Sequence, residues 1–180
     1  MSRRAVRAGA ATVCLAAAFI AGCASLPEPA TNAISGRLSV HVDARPGTEA
    51  RTLSAAFDLE GDAERGSLSL ATPLGTRIAQ ARWSPQNIVL VTTDGESTYA
   101  DTDALTRQLA GEPLPLAALF DWLRGRPWPG APSSALPPAQ GAGFSQLGWL
   151  VLLAGLERGA IVVRRDAPPA ITMRAMIDSR

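Results

Sequence analysis

The chain has 180 residues, a formal net charge of +1, one histidine and two cysteines, and all 17 of its basic residues are arginine. The absence of lysine excludes Ser–Lys and Schiff-base chemistry, and the near-neutral balance gives no reason to expect nucleic acid or an anionic surface as partner. One histidine and two cysteines are too few for a His/Cys metal cluster or a disulfide framework.

Arg3, Arg4 and Arg7 form a positive n-region, followed by an apolar segment from Ala8 to Ala21 that only Gly9 and Thr12 interrupt. This is the layout of a signal peptide, with an apolar core too short for an ordinary spanning helix. It closes on Ile20-Ala21-Gly22-Cys23, where small side chains let the backbone enter a peptidase groove and the Cys23 thiolate accepts diacylglycerol. That run resembles the lipobox of bacterial lipoproteins. Residues 1–22 are therefore the expected lipoprotein signal peptide, and Cys23 the expected lipidation site, carrying S-diacylglycerol and an N-acyl group. Cys14 leaves with the signal peptide, so neither a disulfide nor a thiolate metal site is expected in the mature chain. Removing three arginines leaves 14 basic against 16 acidic residues, a balance of −2. Residues 23–33 read as the lipidated cysteine and a disordered Pro/Ser/Thr-rich tether, and residues 34–180 as one domain with one core.

From Ile34 the apolar period becomes two. Ile34, Gly36, Leu38, Val40 and Val42 alternate with polar neighbours, which predicts a strand with one apolar face. After an Arg45-Pro46-Gly47-Thr48 turn, Leu53, Ala55, Phe57 and Leu59 predict a second strand, and after Gly61-Asp62 a third carries Leu68 and Leu70. Thr76–Trp83, Asn87–Thr93 and Ser97–Ala100 complete an expected antiparallel meander, with Asp94-Gly95 as a hairpin signal before the last. Asp101 or Thr102 is expected to cap a helix ending at Ala110 before Gly111, and Pro115 to open a second with Leu116, Leu119, Phe120 and Leu123 as its stripe, stopped by Gly125. Arg126–Gly143 reads as a long loop. Leu147–Leu156, Ile161–Val163 and Ile171–Ile177 read as three closing strands, with a buried helix at Leu150–Leu153 as the alternative. Strands, two helices, then strands predict an α+β fold, a curled sheet with helices on its concave side.

The residues offer no active site. His41 falls on a polar strand face, and the carboxylate pairs Asp58/Glu60 and Asp101/Asp103 read as a solvated face and a helix cap. Neither a catalytic residue nor a metal ligand is expected. One residue is out of place: Leu74, in Thr72-Pro73-Leu74-Gly75-Thr76, sits where a hairpin tip ordinarily carries polar groups. It either folds back onto the core or protrudes toward a membrane or partner.

Several runs now carry a resemblance: Ser35-Gly36-Arg37-Leu38, Leu68-Ser69-Leu70 leading into Pro73-Leu74-Gly75, Tyr99-Ala100-Asp101, Gly111-Glu112-Pro113-Leu114-Pro115-Leu116, Leu119-Phe120-Asp121-Trp122-Leu123-Arg124-Gly125, and Gln146-Leu147-Gly148-Trp149. With the lipobox Cys23 before them, the chain from Ile34 to Trp149 resembles the outer-membrane lipoprotein receptor LolB family. The resemblance implies a half-open antiparallel β-barrel with helices capping an apolar cavity. It implies transfer of acylated lipoproteins from the periplasmic carrier LolA to the inner leaflet of the outer membrane, with no nucleic acid, no cofactor beyond the acyl groups on Cys23, and a monomer. It also places the family's protruding loop leucine on Leu74, as a membrane-insertion residue. Leu38, Val40, Leu53, Phe57, Leu68 and Leu70, with Leu119 and Leu123 from the lid helix, are the expected acyl-cavity residues. Ala24 and Ser25 after Cys23, where an inner-membrane retention signal has Asp, favour a periplasm-facing outer-membrane anchor. The tether is shorter than the family's, and the chain ends soon after its last alternation, so a less complete cavity wall is expected. The competing readings are a scaffold lipoprotein without a ligand cavity and, more distantly, a hydrolase built on a carboxylate pair.

Overall fold

A computed structural model describes residues 33–178. The expected signal peptide, Cys23 and the tether up to residue 32 lie outside the described residues. Period-two alternation produces six strands in succession: β1 (Ile34–Val42), β2 (Arg51–Gly61), β3 (Gly66–Ala71), β4 (Arg77–Ser84), β5 (Asn87–Thr92) and β6 (Gly95–Tyr99). Their turns follow from local chemistry. The Arg45 and Thr48 backbones bond each other across the first turn. At the second, the Asp62 carboxylate accepts the N–H groups of Arg65 and Glu64, which hold its pKa below the usual carboxylate value. The fifth turn differs from the expected one. Thr93 and Asp94 form it, while Gly95 already pairs with Thr92 in the ladder.

Two helices follow, α1 (Thr102–Ala110) and α2 (Leu116–Trp122). The Asp101 side chain caps α1 by accepting the Ala104 N–H at 2.7 Å, and Gly111 ends it in the left-handed region. Pro115 stands at the cap of α2 rather than inside its first turn. The segment read as one long loop contains a short strand, β7 (Ser133–Ala135), and a single 3-10 turn at Pro138–Gln140. After it come β8 (Gly143–Gln146), β9 (Trp149–Gly155), β10 (Ala160–Arg165) and β11 (Ile171–Ile177). The apolar run from Leu147 is not continuous strand, and no helix forms at Leu150–Leu153. Leu147 and Gly148, both with positive φ, make the two-residue turn between β8 and β9, leaving Leu147 exposed.

All eleven strands join one antiparallel sheet in the order β6-β5-β4-β3-β2-β1-β11-β10-β9-β8-β7. Every neighbour is a chain neighbour except β1 and β11, which pair from Gly36↔Ile177 to Val42↔Ile171. The sheet does not close, since β6 and β7 are unpaired edges and the two helices span the chain between them. Gly36 stands at the end of the β1–β11 ladder, where an added Cβ would run into the Met176 carbonyl oxygen.

The helices lie on the face carrying Val40, Phe57, Leu70, Trp83, Val151, Val163 and Met173, all buried in one core. On that face α2 bridges the two halves of the sheet. Phe120 meets Trp83 of β4 edge-on at 6.0 Å, and Trp122 meets Trp149 of β9 at 6.1 Å. Behind Trp122, the Gln146 side chain, 2% exposed, makes four hydrogen bonds. Its Oε1 accepts from Trp122 Nε1 (2.7 Å) and the Trp128 N–H (2.9 Å), and its Nε2 donates to the Trp128 and Ala131 carbonyls (2.7 and 2.6 Å). A buried amide with every donor and acceptor used fixes α2 and the following loop in one arrangement.

Two substitutions test these contacts. Gly36→Ala should lower the unfolding free energy by about 1–3 kcal/mol, because the β1–β11 backbones must separate to admit the methyl group. Gln146→Leu strands buried donors and acceptors and should cost about 2–3 kcal/mol. Urea unfolding followed by tryptophan emission reads both; a loss below about 0.5 kcal/mol in either would contradict the corresponding contact.

Candidate functional site

Alternation puts large aliphatic side chains on one face of β1, β2 and β3, and the α2 stripe is laid across them. Between sheet and helices this leaves a pocket whose lining is apolar apart from Thr106. All eight residues expected from the sequence line it: Leu38 and Val40 from β1, Leu53 and Phe57 from β2, Leu68 and Leu70 from β3, and Leu119 and Leu123 from α2 and its cap. The Thr106 hydroxyl is satisfied, accepting the Leu114 N–H at 2.9 Å and donating to the Asp103 carbonyl at 3.2 Å. Nothing polar is therefore offered to a guest.

The pocket has further walls that sequence reading missed. Leu59 continues the inner face of β2, Leu109 and Ala110 come from α1, Leu114 from the inter-helix link, Leu116 from the start of α2, and Met173 and Ala175 from β11. Leu59, Met173 and Ala175 stood in their own period-two patterns. What was missing was the β1–β11 pairing, which carries Met173 opposite Val40 and Ala175 opposite Leu38. The free space is about 60 Å³, room for a few water-sized bodies, whereas pockets that enclose small ligands run from ~300 Å³ upward.

The link between the helices is tied to the sheet by charge. Glu112, largely buried, accepts from Arg45 Nη1 at 2.6 Å, and its second oxygen lies 3.8 Å from Arg165 Nη2. Arg165 also donates to the Pro169 carbonyl at 3.2 Å and lies over the Trp149 ring at 5.3 Å, while its Nε is buried without a partner. These contacts join the β1–β2 loop, the α1–α2 link and the end of β10, so the lid is fixed at its link by Glu112 and at α2 by Gln146.

Leu74 protrudes. Thr72 and Gly75 close a turn (Gly75 N–H to Thr72 carbonyl, 2.9 Å), and the Thr76 N–H reaches the Thr72 hydroxyl at 3.2 Å. This leaves Leu74 at the tip with 95% of its surface exposed. Gly75 holds φ +85, the left-handed value that the turn demands and a glycine supplies. Of the two positions open to Leu74, folded back or outward, the structure has the outward one.

The carboxylates considered for catalysis are dispersed. Asp58 and Glu60 are exposed on the outer face of β2, and Asp101 caps α1. His41 bonds the Thr52 hydroxyl at 2.8 Å and stands 3.2 Å from Asp43 on the outer face of the sheet. Among the described residues no three His, Cys, Asp or Glu side chains come together as a metal-holding group.

Comparison of the sequence with known proteins finds a family match. The family model for outer membrane lipoprotein LolB matches residues 31–174. A curated protein of Bordetella petrii named outer-membrane lipoprotein LolB is 36% identical over 164 residues, covering 84% of this chain and 82% of the relative. Proteins of the same name from Bordetella parapertussis (33% over 170 residues, 87% and 85% covered) and Chromobacterium violaceum (34% over 145 residues, 74% and 75% covered) are similar as well. The chain belongs to the outer membrane lipoprotein LolB family.

Proposed function

We propose that this chain is an outer-membrane lipoprotein receptor that takes acylated lipoproteins from the periplasmic carrier LolA and releases them into the inner leaflet of the outer membrane. The observation that carries the reading is the apolar pocket beneath α1 and α2, where residues from β1, β2, β3, β11 and both helices converge without an unsatisfied polar group. Each methylene removed from water is worth about 0.8 kcal/mol, so an acyl chain crossing an aqueous compartment needs such a lining. Aliphatic contacts are non-directional, so lipoproteins with different polypeptides are accepted alike. With about 60 Å³ free, an entering chain must displace the lid rather than fill a standing void. Transfer then needs no nucleotide, because the acyl chains move between apolar environments.

Leu74 is the release element in this reading. A fully exposed leucine at a hairpin tip gains from entering the acyl region of a leaflet, and its entry disturbs the lipid order that opposes delivery. Residues 1–22 act as the signal peptide and acylated Cys23 as the anchor, on a tether to the domain that starts at Ile34. The anchored protein faces the periplasm as a monomer.

Three outcomes check this. With Cys23→Ala, the chain should take an acylated lipoprotein from loaded carrier without nucleotide; if the lipoprotein stays on the carrier while the chain is folded, a scaffold role replaces the receptor. An apolar fluorescent probe should bind saturably and be displaced by fatty acid. Leu74→Glu should leave uptake from the carrier intact but slow release into liposomes at least tenfold, the equivalent of losing one leucine's burial. Release at the wild-type rate would exclude the role given to Leu74.

A further inference from the structure

The outer face of the sheet carries a second concavity, separate from the pocket under the helices. It is a groove of about 410 Å³ crossing β2, β1, β11 and β10, and Pro73, the residue before Leu74, forms part of its wall. Arg37 and Arg174 both line it. Arg37 stands opposite Met176 and Arg174 opposite Ser39 in the β1–β11 ladder, so the two guanidinium-bearing positions are diagonal neighbours on one face. Both are exposed, and no carboxylate lines the groove. Each ion pair found among the described residues belongs to other cations: His41, Arg45, Arg126, Arg164 and Arg165. Beside the arginines, the Ser54 hydroxyl donates to Ser39 Oγ at 3.2 Å, and both lie in the same groove. Met176, 42% exposed, adds an apolar wall, and the exposed Leu74 follows the wall residue Pro73 in the chain.

We propose that this groove binds the phosphate of a phospholipid headgroup in the membrane that Leu74 enters. The proposal rests on the membrane role given to Leu74 and adds the polar half of the contact. Two arginines lining one groove with no carboxylate among its walls present forked donors suited to a phosphate, with two hydroxyls in the same groove. The apolar Pro73 and Met176 suit the glycerol and upper acyl region. An amphipathic anchor reaches about 5–10 Å into the boundary of headgroups and acyl chains. A site one residue from the inserting side chain therefore meets headgroups while the leucine tip meets the chains. The near-zero net charge of the chain gives no hint of this cluster, since Arg37 and Arg174 come from opposite ends of the domain and meet only through the β1–β11 pairing.

The test is partition of the chain with Cys23→Ala, which lacks the acyl anchor, onto vesicles at low salt, comparing pure phosphatidylcholine with a mixture containing phosphatidylglycerol. Arg37→Gln with Arg174→Gln should weaken partition onto the phosphatidylglycerol mixture about thirty-fold, the sum expected for two arginines at an anionic surface, and remove its salt dependence. A control that removes equal charge far from the groove, Arg65→Gln with Arg82→Gln, should change it less than threefold. An equal loss in the control would reduce the effect to net charge and overturn the site. So would unchanged partition of the groove variant, or a variant that keeps partition but loses uptake from the carrier, which would assign the groove to a protein partner. Leu74→Glu separates the two readings. If it leaves phosphatidylcholine partition intact, the insertion role fails, whereas loss of only the anionic component in the groove variant belongs to the headgroup site.

Discussion

Seven residue pairs between β1 and β11 join the first and last described strands into one sheet, and the rest of the molecule depends on that ladder. Without it the chain would hold two separate antiparallel sheets, β2 to β6 with β1 and β7 to β10 with β11, each exposing an apolar face too narrow to bury alone. With it, Val40 stands opposite Met173 and Leu38 opposite Ala175, so both halves contribute to one apolar surface. The small residue at Gly36 permits the approach, because a side chain there would meet the facing carbonyl.

An apolar face of this breadth has to be covered, and the helices between the two sheet edges cover it. Their own propensity is weak: α1 has nine residues and α2 seven, both below the length at which an isolated helix is stable in water. What holds them is tertiary. Phe120 and Trp122 of α2 meet aromatic rings from opposite halves of the sheet, Gln146 uses all four of its hydrogen-bonding positions behind α2, and Glu112 ties the link to Arg45 and Arg165. These polar anchors lie at the margins of the lid, while its centre over Leu38, Leu53 and Leu68 rests on aliphatic contact alone. Such contact is lost and regained without breaking directional bonds, which suits a cover that the proposed function requires to yield to an acyl chain.

The two faces of the sheet thus divide the work in the proposed function. The covered face offers only hydrocarbon and supplies affinity without selectivity. The outer face carries a groove with two arginines and two hydroxyls, and its wall includes Pro73, the residue before the exposed Leu74, an order of apolar tip and polar flank that, in the proposed reading, matches the order of acyl chain and headgroup in a leaflet. Both faces are set by the same alternation along β1, where Leu38 turns inward and Arg37 outward. A one-residue slip in its register would exchange them.

Much of this was legible in the sequence because it depends on neighbours a few residues apart. Period-two patterns identified the first three strands and their inward faces, turn signals separated the next three, the Asp101 and Gly111 caps bounded α1, and a leucine between Pro73 and Gly75 marked a turn with the wrong polarity. Together with the family resemblance, those signals named eight pocket residues, all from β1, β2, β3 and the α2 stripe. Where the sequence misled, an apolar or Pro-rich composition concealed local geometry: Leu147 looked like strand interior but forms a turn with Gly148, and β7 lay hidden in a segment read as loop. Tertiary structure alone decided the pairing of β1 with β11, and with it the Met173 and Ala175 wall and the placing of Arg37 and Arg174 in one groove, and it decided the four hydrogen bonds of Gln146. No local pattern encodes those contacts, because they join segments distant in the chain whose only common cause is burial of one continuous apolar face.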